Sequence, residues 1–108
     1  GAKGPATRIQ WGAGYINALV DLGPEQADRI ERAAATMLGE LGRTPDAFHE
    51  RNARSAQRIG AKLAGWAGGT PERLERVQRL DKALAPVCGQ LPAKDPQRER
   101  CEQLFKPA

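Results

Sequence analysis

Apolar residues recur at helical spacing in every long segment of this chain, and proline or glycine punctuates each segment. The longest runs from Arg43-Thr44-Pro45-Asp46-Ala47 to Trp66-Ala67-Gly68-Gly69. Within it Phe48, Asn52, Ser55, Ala56, Ile59, Leu63 and Trp66 fall on one face at the i, i+3, i+4, i+7 pattern of an amphipathic helix. Thr44 reads as its N-cap, Pro45 as its first helical residue and Gly68-Gly69 as its stop. Small residues (Ala53, Ala56, Gly60, Ala61, Ala64, Gly65) crowd its second half, so a neighbouring helix can approach closely. Arg51, Arg54, Arg58 and Lys62 form a basic stripe on another face.

Four further segments repeat the pattern. Residues 6–22 form a first helix with two apolar lines, Ile9/Ile16/Val20 and Trp11/Tyr15/Leu19/Leu22. Gly12 and Gly14 weaken it, each by up to about 1 kcal/mol relative to Ala, which suits a position where another helix or a ligand comes close. Residues 24–41 form a second helix burying Ala27, Ile30, Ala33 or Ala34, Met37, Leu38 and Leu41, with Glu25/Arg29 and Asp28/Arg32 as acid-first surface pairs. Gly42 is its natural C-terminal cap. A fourth helix opens at Thr70-Pro71, with Leu74, Val77, Leu80, Leu84 and Val87 as its core stripe and Pro86 kinking or finishing it. Glu72/Arg76 and Glu75/Arg79 are its expected surface pairs. A short last helix, residues 96–105, starts at an Asp95 cap and buries Cys101, Leu104 and Phe105. The openings Gly23-Pro24-Glu25, Thr44-Pro45-Asp46 and Thr70-Pro71-Glu72 look alike, and capping chemistry explains that likeness without a repeat.

The expectation is an all-α protein: a small four- to five-helix bundle, residues 6–108, behind a flexible lead or cloning remnant at 1–5. At 108 residues it makes one domain with one modest core. Only five aromatics are available, so that core must be largely aliphatic. No run approaches the roughly 18 apolar residues of a membrane span. The chain opens on a polar segment without the basic lead and apolar run of a secretory signal, so the expectation of export leaves open an export signal or a membrane anchor removed from this chain.

Cys88 and Cys101 close the fourth helix and enter the last one. An even count in a small domain with few aromatics favours a disulfide, and with it an oxidising compartment, periplasmic or secreted. Closing such a loop contributes about 3 kcal/mol and would staple the C-terminal helix. Two reduced, buried thiols are the alternative.

Reactive chemistry is sparse. The lone His49 has no Cys or His at ligand spacing, so no metal and no cofactor is expected. Gly65-Trp66-Ala67-Gly68-Gly69 lacks the Lys-Ser/Thr of a phosphate loop. Thr7, Thr36 and Ser55 have no base at a telling distance, and the acids sit opposite Arg or Lys. His49 beside Glu50 reads as a rim residue, and enzymatic activity is not expected.

Two short stretches resemble known families. Trp66-Ala67-Gly68 resembles the Trp-x-Gly turn of small secreted helical-hairpin proteins, which are two-helix hairpins without a disulfide. Leu22-Gly23-Pro24-Glu25-Gln26 is similar to the Leu-Thr-Pro-Glu-Gln signature of periplasmic stress and metal-sensing chaperones. There Gly23 replaces Thr, and Gly69-Thr70-Pro71-Glu72-Arg73 makes a poorer second copy. Each match covers only a few residues and identifies no family; both imply a place outside the cytoplasm.

Two function classes follow. The first is an exported, non-catalytic helical protein that binds a macromolecule as an inhibitor or immunity protein, a chaperone, or a secretion or envelope accessory. Its surface would be Trp11, Tyr15 and Leu19 with the basic stripe, and its partner another protein or a second copy of itself. The competing placement buries all three residues and makes the first helix the centre of the core. The second class is a basic nucleic-acid-binding module using Arg51, Arg54, Arg58 and Lys62 with Arg73, Arg76 and Arg79. Net charge is +4, and all of that excess lies in residues 55–108. Acids interleave with the later arginines, so nucleic acid is the less expected partner.

Overall fold

The computed structural model describes residues 5–106, with side chains from residue 8 onward. Five helices make up the fold: α1 (Pro5–Leu22), α2 (Ala27–Arg43), α3 (Glu50–Ala67), α4 (Pro71–Gly89) and α5 (Pro96–Glu102). The all-α bundle is the expected one. Pro5 already belongs to α1, and the remainder of the expected lead lies outside the described residues.

The bundle is built as a ring. α1 packs on α2 and α3, α4 packs on the same two helices, and α5 packs on α4. Ile9, Ile16, Ile30, Phe48, Ile59, Leu63, Leu84 and Cys101 are its largest fully buried side chains. Gly12 lets the Met37 side chain of α2 lie against α1, because a Cβ there would meet the Met37 sulfur.

Several helix ends differ from expectation. Thr44 and Pro45 do not open α3. Thr44 instead closes α2, its hydroxyl donating to the Glu40 carbonyl at 2.6 Å. Residues 44–49 form a turn that buries Thr44, Ala47 and Phe48, with Asp46 at φ 55°, and α3 begins only at Glu50. Ala47 and Phe48 fill the core from this turn rather than from a helix. In the same way Pro24 lies in the turn before α2, and Thr70 stands at the N-cap of α4 without a side-chain bond. Only Asp95 caps as expected, accepting the Gln97 amide at 2.9 Å. The likeness of the three Pro-containing openings is therefore not shared capping. α4 also runs through Pro86 to Gly89, and Leu74 is 49% exposed rather than core.

The C-terminal segment is a latch. Cys88 and Cys101 are bonded, with Cα atoms 5.5 Å apart, and Cys101 is fully buried. The Gln97 carboxamide accepts the Phe48 amide at 3.1 Å and donates to Asp46 at 3.3 Å. Arg100 donates to the Phe48 carbonyl at 2.8 Å. Past α5, the Leu104 carbonyl lies where a Cβ on Gly60 would be, so the small residues of α3 admit this segment and not another long helix. One short element thus holds α4, the 44–49 turn and α3 together.

The surface ion pairs connect helices more than they run along them. Arg76 reaches Asp28 at 2.8 Å and Glu31 at 2.9 Å on α2, besides Glu72 on its own helix. Arg79 grips Glu31 through two nitrogens, at 3.0 and 2.8 Å. The expected Asp28/Arg32 and Glu75/Arg79 pairs are replaced by this network, since an exposed acid, Asp28, and a partly covered one, Glu31, face the arginines of α4 from α2. The Arg79 hydrogen bond, with the charges of both arginines, holds the Glu31 carboxyl below its ordinary 4.5 against the opposing pull of its partial burial. Arg79 rises in turn through its bond to Glu31, and Arg76 chiefly through its bond to Asp28.

Candidate interaction face on α1

α1 has two unlike sides. Ile9, Ala13, Ile16 and Val20 point into the core. Trp11, Tyr15, Ala18 and Leu22 follow the same i, i+4, i+7, i+11 rhythm on the opposite side, and each is exposed. Trp11 is 77% exposed, Tyr15 54% and Leu22 86%. These are three of the four exposed large apolar residues among the described residues, the fourth being Leu74. Gly14, beside them, has open space where its Cβ would be.

The three residues expected to act together divide. Trp11 and Tyr15 lie outward, whereas Leu19 is half-buried and packs on the core. The reading that buries all three is excluded by the exposure of the aromatics. Ala18 and Leu22 complete the outward line. Leu22 was visible in the apolar periodicity, but Ala18 could be found only by extending the helical step from Trp11.

The basic stripe on α3 is only partly intact. Arg51, Arg54 and Arg58 are exposed and make no ion pair among the described residues. Lys62 is bound to Asp21 of α1 at 2.5 Å, so its charge is met within the bundle. The arginines of α4 do not join the stripe. Arg76 and Arg79 are held by α2 acids, and Arg73 lies 5.1 Å from the Trp66 ring centroid while donating to the Trp66 carbonyl. His49 is on the rim, 3.4 Å from Glu50. No group of acids, cysteines and histidine suited to a metal ion occurs among the described residues.

Both short sequence resemblances meet at one corner. The Trp66 indole N–H donates to the Pro24 carbonyl at 2.8 Å, joining the turn before α2 to the end of α3. Each stretch thereby has a packing role in this fold. No protein-family model, curated protein or solved structure matches the chain.

Proposed function

We propose that this chain is an exported, non-catalytic helical module that recognises a protein through the outer face of α1. The observation that carries the reading is the Trp11, Tyr15 and Leu22 line. A helix that buries one apolar stripe and leaves a second one bare, aromatic-rich and continuous has the composition of an interface centre. Tyr and Trp concentrate binding energy, commonly about 2 kcal/mol or more each. The Cys88–Cys101 bond supports placement in an oxidising compartment, since cytoplasmic thiols are kept reduced. Among the described residues no helix is long and apolar enough to cross a membrane.

The nucleic-acid reading ranks lower. It keeps the three arginines of α3, but Lys62 and the α4 arginines are engaged elsewhere. Phosphate binding strong enough to matter at physiological salt needs several unengaged cations, because counterion release weakens it steeply as salt rises.

The test compares proteins captured from the producing cells by the native chain and by Trp11→Ala, with melting temperature as control. Loss of capture at unchanged stability is expected. Capture untouched by Trp11→Ala, or a fall in stability of core size, overturns the reading. Thiols trapped by alkylation in intact cells, before denaturation, test the compartment: export requires Cys88 and Cys101 to be protected.

A further inference from the structure

We infer that the occupant of the α1 face is a second copy of this chain, paired antiparallel through α1. This rests on the binding reading above and names its partner.

The argument is self-complementarity. The outward line Trp11, Tyr15, Ala18, Leu22 has the 4-3-4 spacing of a helix–helix seam. Two copies related by a two-fold axis and run antiparallel about the midpoint of that line bring Trp11 against the partner copy's Leu22, twice. The same operation brings Tyr15 against the partner copy's Ala18, also twice. Each large ring therefore meets either an aliphatic side chain or the space left by a small one. Gly14 adds further room, with nothing near its Cβ direction. A parallel pairing would instead stack Trp11 on Trp11 and Ala18 on Ala18, leaving bulk against bulk and a gap against a gap. An isologous contact of this kind closes at two copies and leaves no free end for further growth.

Charge supplies a second argument. The same antiparallel register carries Arg8, at the start of the seam, toward the partner copy's turn after α1, where Glu25 is exposed. The Arg8 side chain is 61% exposed and only loosely held, 3.8 Å from Glu40. Glu25 is exposed and has no ion-pair partner among the described residues. Opposite charges thus flank both ends of an apolar strip, the usual order of apolar centre and polar rim. One helix on each side is a narrow contact, smaller than the roughly 800 Å² per partner of a standard interface, so a weak, concentration-dependent dimer is expected.

Sedimentation equilibrium from about 1 to about 500 µM of the full chain reads it. A monomer–dimer equilibrium is expected, weakened at least about tenfold by Ala18→Glu and by Trp11→Ala. Ala18 is exposed and Glu is a good helix former, so the helicity of that variant should match the parent. Arg8→Glu should weaken the dimer a few-fold, and Arg8→Glu with Glu25→Arg should restore it. A monomer at every concentration, or a dimer indifferent to Ala18→Glu and Trp11→Ala, overturns the inference. A dimer that responds to both but is not restored by the double charge reversal overturns the antiparallel register. A monomer that still loses a different captured protein on Trp11→Ala overturns the dimer alone and leaves the binding reading standing.

Discussion

The two tryptophans of this chain sit on helices of similar length and meet opposite fates. Trp66 is 6% exposed at the end of α3. Its indole N–H is bonded to the Pro24 carbonyl, and the Arg73 guanidinium lies over its ring. Trp11, on the outer face of α1, is 77% exposed. The first ring is satisfied in every respect an indole can be, with apolar body covered, donor paired and face occupied. The second has most of its apolar surface in water, which adds nothing to the core. A buried aromatic with a bonded donor builds a fold, whereas a bare one beside another bare one is what the proposed contact surface would use.

The sharpest break of this comparison is truncation at both positions. Trp66→Ala should cost about 3–5 kcal/mol, leaving a cavity and an unanswered Pro24 carbonyl. Trp11→Ala should stay within about 0.5 kcal/mol of the parent in monomer stability, measured by chemical denaturation at low protein concentration. Equal losses would erase the distinction.

Next in size is the latch. Reducing Cys88–Cys101 should remove about 3 kcal/mol, by the loop-closure argument. Hydrogen exchange should then rise first in α5 and in the 44–49 turn that Gln97 and Arg100 hold. Exchange that rises first in α1 would place the weak side of the molecule elsewhere.

The glycines extend the contrast from rings to backbone. Gly60→Ala forces a Cβ to within 2.0 Å of the Leu104 carbonyl, a backbone atom that cannot swing aside. A loss of about 1–3 kcal/mol is expected. Gly14→Ala meets nothing and should instead stabilise α1 by up to about 1 kcal/mol. Thermal melts of the two variants should move in opposite directions; a shared direction would mean that both faces of the bundle are equally packed.

The smallest effect concerns the α2–α4 network, far from both rings. Glu31 binds protons less readily folded than unfolded, so its contribution is present above the ordinary carboxylate value of 4.5 and fades as pH falls below it. Glu31→Gln should therefore lower the melting temperature at pH 7 slightly and shrink the difference from the parent near pH 3. Variant and parent differing as much at pH 3 as at pH 7 would assign the loss to packing rather than charge.

The helix-forming segments and most of their core residues were legible because a 3.6-residue period is a local property. Ile9, Ile16, Ile30, Ile59, Leu63 and Leu84 are buried as their spacing required. The helix starts were less legible. Thr44-Pro45 is as good a cap sequence as Asp95-Pro96, yet only the second caps. The first is drawn into a turn whose Phe48 amide and carbonyl are taken by Gln97 and Arg100, some fifty residues further on in the sequence. The ion pairs failed for a related reason: i, i+4 neighbours compete with partners on another helix, and sequence spacing says nothing of those.

The amino-acid sequence by itself determined that the chain is helical, where its breaks fall and which cysteines could meet. Those follow from backbone preferences, hydrophobic period and the simple count of thiols. Only the tertiary structure decided which apolar line of α1 faces inward, because two lines on one helix compete for one core. The neighbours settle that competition: α2 and α3 cover Ile9, Ala13, Ile16 and Val20, and once they do, Trp11, Tyr15, Ala18 and Leu22 must lie on the far side of the same cylinder.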